Sequence, residues 1–137
     1  ADELDFGYRH SAFSTGGWLI TQVELELRPG DREKIKAEMD TLSAKRRGSQ
    51  PLDMPSAGST FKRPATGYAA ALIDQAGLKG LRRGGAMVSE KHAGFVVNTG
   101  SAKCSDVLEL MEEIERRVRE RFGVELEPEV KILGGER

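Results

Sequence analysis

Ala86-Met87-Val88-Ser89-Glu90-Lys91-His92-Ala93-Gly94-Phe95-Val96-Val97-Asn98-Thr99-Gly100 is the stretch whose reading decides the fold. Two short apolar runs, Ala86 to Val88 and Phe95 to Val97, stand on either side of a polar, turn-forming segment. Each reads as a short strand, and Thr99-Gly100 ends the second. The clearest helix follows. Val107, Leu110, Met111, Ile114 and Val118 recur at helical spacing and form one apolar stripe. Ser105 is the expected N-cap, and Asp106 in the first turn suits the positive end of the helix dipole. Arg117 to Arg121 suit the negative end, and Gly123 terminates the helix. Beyond it, Val130 to Leu133 reads as a last strand, with Pro128 tolerated at its edge.

Upstream, the period changes twice. Leu19, Thr21, Val23, Leu25 and Leu27 alternate with Ile20, Gln22, Glu24 and Glu26, which predicts a half-buried strand stopped by Pro29-Gly30. From Asp31, the expected N-cap, to about Arg47, the apolar residues Ile35, Met39 and Leu42 sit at helical spacing. Gly48 ends this helix. Pro51, Pro55, Gly58 and Pro64 then predict a long loop from Ser49 to Pro64 with no regular element. A short helix is expected from Gly67 to Gln75, turning Ala70, Leu72 and Ile73 inward. Leu78 to Gly85 reads as a turn-rich basic stretch, and Asp5 to Phe13 as a mixed, aromatic loop. Strands separated by helices without a regular βαβ repeat predict an α+β fold, a small mixed sheet with helices packed on it.

The bulk numbers narrow the function. Of the 137 residues, 38% are hydrophobic, enough for a modest core and too many for a disordered chain. The net charge of -1 provides no global field for nucleic acid or an anionic membrane, so an anionic ligand needs a local cationic cluster. The single cysteine, Cys104, excludes an internal disulfide and suits a reducing cytoplasm. No signal peptide and no apolar run of membrane-spanning length is expected. His10 and His92 have no metal-ligand spacing to each other or to Cys104, so no metal site is expected. No G-x-G-x-x-G or P-loop pattern occurs.

Three segments carry groups able to do chemistry. In Pro55-Ser56-Ala57-Gly58-Ser59-Thr60-Phe61-Lys62-Arg63-Pro64, Gly58 allows close backbone approach to a ligand, Ser59 is a hydroxyl able to give or take a proton, and Lys62 and Arg63 are cations. The segment reads either as an anion-binding loop or as a surface loop using Gly, Ser and Pro for turns. Arg46 and Arg47 close the preceding helix, where they offset the dipole or grip a pyrophosphate. Arg82 and Arg83 allow the same two readings. Glu125, Glu127 and Glu129 would share one face of a strand, as acid-base groups or as a charged edge that discourages aggregation.

Read together, these segments resemble the UDP-N-acetylenolpyruvoylglucosamine reductase (MurB) family. Gly7-Tyr8-Arg9-His10-Ser11-Ala12-Phe13 resembles its G-Y-R-x-S-x-F segment. Gln50-Pro51 and Pro55 to Pro64 resemble its Q-P and P-S-A-G-S-x-F-K-R/N-P loop. Ala76 to Gly80, Gly85-Ala86, Val88 to Asn98 and Leu126 to Gly134 resemble its later blocks, in order and at its spacing. The compact blocks are similar to the shorter, type II branch.

The resemblance implies the substrate-binding part of an FAD-dependent oxidoreductase. The whole enzyme would reduce UDP-N-acetylglucosamine enolpyruvate to UDP-N-acetylmuramate with NADPH, in peptidoglycan synthesis. It implies Ser59 as proton donor and Glu129 as the acidic group assisting it, with Tyr8, Arg47, Lys62 and Arg63 contacting substrate. Lys131 stands where many relatives carry arginine, keeping the charge and losing the fork. FAD and NADPH are expected to be held mainly by a flavin-binding region, with residues 1–16 as its tail or a linker and 17–137 as the substrate-binding C-terminal domain. The flavin-binding region is thus an expected partner, and this stretch alone is expected to be inactive in the redox step. The alternative is a stand-alone UDP-sugar-binding module without redox activity.

Overall fold

The computed structural model describes residues 4–134. The chain divides into two compact units, Ala1–Ile35 and Lys36–Arg137. Among the described residues, no helix is long and apolar enough to cross a membrane.

The core belongs to the second unit. It is organised by α3 (Cys104–Phe122), whose residues Leu110, Met111, Ile114 and Val118 are fully buried. The helix starts just before the expected Ser105. Lys103 is the N-cap, and Asp106 Oδ2 accepts the backbone N–H groups of Lys103 at 3.0 Å and Gly85 at 3.1 Å. A carboxylate two to three residues into a helix satisfies orphan N–H donors better than the short Ser105 hydroxyl could. Gly123 closes the helix as expected. It adopts the left-handed conformation, φ 66°, and its N–H reaches Arg119 O. The short helix α2 (Ala69–Gln75) buries Ala69 and Ile73 in the same core, with Leu72 packed against it.

Four strands form the sheet: β1 (Ser56–Ser59), β2 (Arg82–Arg83), β3 (Ala86–Val88) and β4 (Phe95–Asn98), in the order β1-β4-β3-β2. The α+β architecture is the expected one. The sheet is antiparallel in every pairing rather than mixed. Its central connections are a two-residue turn, Gly84-Gly85, and the hairpin loop from Ser89 to Gly94, both too short for the crossover a parallel pair requires. Ala86 pairs with Asn98, Met87 with Val97 and Val88 with Val96. Paired residues share a face. Ala86, Val88 and Val96 join the core with α2 and α3, while Met87, Phe95 and Val97 form a second cluster. Burial on both faces explains why these runs are continuously apolar rather than alternating.

Two expectations fail at the sheet margin. β1 lies inside the stretch expected to be a loop. Its helix- and strand-breaking residues occupy tolerated places: Pro55 precedes the strand, contributing only its carbonyl to Asn98 N–H at 2.8 Å, and Gly58 sits in an irregularity of the pairing. The last strand, Val130 to Leu133, does not form. The chain pairs earlier, through a bridge between Phe61 and Pro128 flanked by Lys62 N–H to Glu127 O at 2.8 Å and Glu129 N–H to Thr60 O at 2.9 Å. Pro128 occupies the one position of that bridge where no N–H is asked of it.

In the first unit, the strand expected from Leu19 to Leu27 is absent among the described residues. Residues 17–31 form neither helix nor strand, and Leu19, Val23, Leu25 and Leu27 are 70–87% exposed. A strand exists only against a partner edge, and period-two patterning cannot supply one. Helix α1 (Arg32–Ser49) follows as expected and runs through Gly48 to Ser49. Asp31 Oδ1 accepts the N–H groups of Glu33 and Lys34 as its N-cap. None of its residues is buried, so Ile35, Met39 and Leu42 remain exposed.

Candidate functional site

The site grows from a register irregularity. Ser56 pairs with Val97, and Ser59 pairs with Phe95, so three residue steps on β1 match two on β4. This is a bulge, with Gly58 at φ 85° supplying the conformation that an L side chain resists. In an even ladder Gly58 would stand opposite Phe95. The bulge gives that place to Ser59, so the register puts Ser59 on the face of Phe95 and Val97, not on the face packed by α2 and α3. Ser59 is exposed, and its hydroxyl donates over a long 3.5 Å to Phe61 O.

A bulge interrupts the ladder, and a buried N–H then needs another partner. Thr60 provides it. Its Oγ1 accepts Val96 N–H at 3.0 Å, its own N–H reaches Gly94 O at 2.8 Å, and its carbonyl accepts Glu129 N–H. Thr60 is 3% exposed, so these bonds are shielded from water. Through Thr60, the half-buried Glu129 is held one residue along the chain from Ser59.

The expected cations divide between tasks. Lys62 Nζ forms an ion pair with Glu127. The Arg63 guanidinium lies over the Tyr68 ring, 4.2 Å from its centroid, within cation–π range. Arg47 lies near the end of α1, where its carbonyl accepts Lys91 Nζ at 2.6 Å, while Arg46 Nε donates to Gln50 Oε1 at 3.0 Å. Tyr8 belongs to the first unit, where the Arg9 guanidinium lies 5.6 Å from its ring centroid. The structure therefore brings Ser59, Lys62, Arg63 and Glu129 together on two paired segments. Arg47 is tied to the β3–β4 connection, and Tyr8 stands in the other unit.

Arg83 and Arg82 separate by face. Arg83 pairs with Ala86 and reaches Glu113 of α3 at 3.7 Å, whereas Arg82 pairs with Met87. Arg82 lines an open cavity of about 560 Å3 with Asp53, Met87 and Asn98. An apolar cavity of about 380 Å3 lies between Ser56, Thr60, Val96, Met111 and Val130. Sequence reasoning missed Thr60, Tyr68 and Lys91. Only Thr60, a β-branched hydroxyl beside the serine, carried a local signal. The other two act through tertiary contacts.

Fold and site together define a small α+β domain whose bulged edge strand carries an exposed hydroxyl and is joined, through Thr60 and Lys62, to the segment that carries Glu127 and Glu129. The model of "UDP-N-acetylenolpyruvoylglucosamine reductase, C-terminal domain" matches residues 50–133. The chain belongs to the UDP-N-acetylenolpyruvoylglucosamine reductase family. It is 52% identical over 132 residues to the reductase of that name from Caldanaerobacter subterraneus subsp. tengcongensis, covering 96% of this chain and 44% of the relative. It is 47% identical to the one from Limosilactobacillus reuteri, covering 97% and 45%. The crystal structure of UDP-N-acetylenolpyruvylglucosamine reductase (MurB) from Thermus caldophilus is similar, with a TM-score of 0.78 and 45% identity, covering 96% of this chain and 47% of that one. The chain thus spans somewhat under half the length of these relatives.

Proposed function

We propose that this chain is the substrate-binding part of a reductase that converts UDP-N-acetylglucosamine enolpyruvate to UDP-N-acetylmuramate in peptidoglycan synthesis, using FAD and NADPH. The observation that carries the reading is the pairing of the Ser59 segment with the Glu129 segment, adjacent to Lys62 and Arg63.

When bound, FAD reduced by NADPH supplies the hydride. The chain carries no G-x-G-x-x-G or P-loop pattern to cradle a pyrophosphate, so no step is assigned to FAD on these residues. The role of this chain is the proton. Reduction at the vinyl carbon leaves enolate character at the carbon bearing the carboxylate. Ser59 gives that carbon its proton: the Oγ–H bond breaks, a C–H bond forms, and an alkoxide remains. An isolated serine is a poor acid, and nearby cations lower the cost of the alkoxide. Glu129 assists proton delivery, while Lys62, Arg63 and Arg47 hold the anionic groups of the nucleotide sugar.

In a reductase carrying both halves, Ser59→Ala should slow flavin reoxidation by substrate by roughly 10²- to 10⁴-fold, the usual worth of a positioned proton donor. NADPH-dependent flavin reduction should be unchanged. Equal loss of both half-reactions would remove Ser59 from this role. Titration of the 137-residue chain with UDP-N-acetylmuramate should shift the amide resonances of Ser59 to Arg63 and Glu129.

A further inference from the structure

We infer that Tyr68 is a positioning residue, whose ring holds the Arg63 guanidinium in place to meet an anionic group of the nucleotide sugar. The inference rests on the proposed function, in which Arg63 contacts that sugar. It adds a residue that acts on Arg63 and not on the ligand.

Three observations carry it. First, the backbone is held on both sides of the contact. Ahead of Arg63, Lys62 N–H donates to Glu127 O at 2.8 Å, and just after Tyr68, Ala69 is buried in the core. Between them, Pro64 has a fixed φ, and Gly67, at φ 78°, takes the left-handed conformation that turns the chain before Tyr68. The Arg63 guanidinium then lies over the ring, 4.2 Å from its centroid. Second, Tyr68 serves neither of the ordinary purposes of its place. It is the N-cap of α2, where short polar side chains are preferred, yet its side chain makes no capping hydrogen bond. It is 59% exposed, so it adds little to the core, and its hydroxyl has no hydrogen-bond partner among the described residues. The contact with Arg63 is the role that remains for the ring. Third, a cation–π contact suits an anion-binding arginine. It acts on the charge and consumes no N–H donor, so it orients a guanidinium without competing with the oxygens that its fork matches. A side chain already seated on a ring also has less rotamer freedom to lose when the anion arrives.

A double-mutant cycle on UDP-N-acetylmuramate affinity tests it, by isothermal titration of a reductase carrying both halves. Arg63→Met should weaken binding about 10-fold or more, as for a charge-assisted hydrogen bond. Tyr68→Leu should weaken it about 3- to 5-fold, the worth of one exposed cation–π contact. With Arg63 already replaced, Tyr68→Leu should weaken it no further. Tyr68→Phe keeps the ring and should bind as the parent does. Equal losses from Tyr68→Leu in both backgrounds, or a Tyr68→Phe variant as weak as Tyr68→Leu, overturn the inference. A second readout needs no ligand. The Arg63 Nε–H resonance should be displaced by the ring current in the parent and in Tyr68→Phe, and an undisplaced resonance in the parent overturns the contact itself. Weakened binding in Arg63→Met with none in Tyr68→Leu rejects the positioning role and spares the proposed function. Unchanged binding in Arg63→Met removes Arg63 from the proposed function, and the inference falls with it.

Discussion

Ser59 stands opposite Phe95 across the β1–β4 pair because Gly58, at φ 85°, absorbs one extra residue before it. The place of the Ser59 hydroxyl therefore depends on a backbone conformation as much as on the residue's own identity. A Cβ at Gly58 would meet nothing within 4 Å, so substitution is opposed by strain and not by a clash. Gly58→Ala should destabilise the domain by about 1–2 kcal/mol, the usual cost of a left-handed L residue. If the bulge relaxes, Ser59 leaves its register, and substrate reduction should fall further than stability does. Urea unfolding beside turnover measures both. A variant with unchanged activity and stability would show the bulge to be dispensable.

Thr60 holds the interrupted ladder together. Thr60→Val keeps the shape and removes the hydroxyl that accepts Val96 N–H, leaving a buried donor without its partner. The expected loss is about 1–3 kcal/mol. Thr60→Ser, which keeps the oxygen, should recover most of it. Chemical denaturation of the two variants makes the comparison, and equal losses would point to packing of the methyl group.

Lys62 offers a separation of stability from binding. Its ion pair with Glu127 lies at the surface, with the Glu127 side chain 70% exposed, so Lys62→Met should change stability by no more than about 1 kcal/mol. If Lys62 holds an anionic group of the nucleotide sugar, the same variant should weaken UDP-N-acetylmuramate binding about 10-fold, equivalent to ~1.4 kcal/mol. Isothermal titration gives the affinity. An unchanged Kd would assign Lys62 to Glu127 alone.

Acid stability should depend on Asp106. The backbone N–H of Lys103, and then that of Gly85, hold its carboxyl below the ordinary aspartate value. A carboxylate with a lowered folded-state pKa contributes stability above its unfolded value, near 4, and loses it as pH falls through the folded value. Hydrogen bonds from Arg117 and Arg116 lower Glu113 in the same sense. Asp106→Asn should therefore be less stable than the parent at neutral pH, and the difference should shrink as pH drops below about 4. Urea midpoints between pH 7 and 3 follow it, and a pH-independent difference would exclude the charge as the cause.

Helix α3, strands β3 and β4, and the termination at Gly123 were legible because each is encoded locally. A stripe of five apolar residues at helical spacing needs one face covered, and short apolar runs between turn residues need two. The loop reading of residues 49–64 failed for a reason outside the segment. Pro55 and Gly58 do break regular structure, yet an edge strand accommodates both when β4 lies alongside. The final strand failed the opposite way. Val130 to Leu133 has strand-like residues, but the pairing falls on Glu127 to Glu129, where Phe61 is already anchored in the core. The chemical groups at the site were visible as Ser59, Lys62, Arg63 and Glu129. Their juxtaposition was not, because it runs through backbone bonds of Thr60 that join residues nearly 70 positions apart.

Sequence alone determined the helices, the two central strands, the family resemblance and the chemical groups available, since periodicity, glycine placement and motif order are properties of neighbouring residues. Tertiary structure decided which polar groups meet, which segments are strands and which face Ser59 takes. Those outcomes depend on a partner edge supplied from far along the chain, as β4 supplies it to β1. Residues 19–27 show the converse: a strand pattern forms no strand and stays exposed where the described residues provide no edge to complete it.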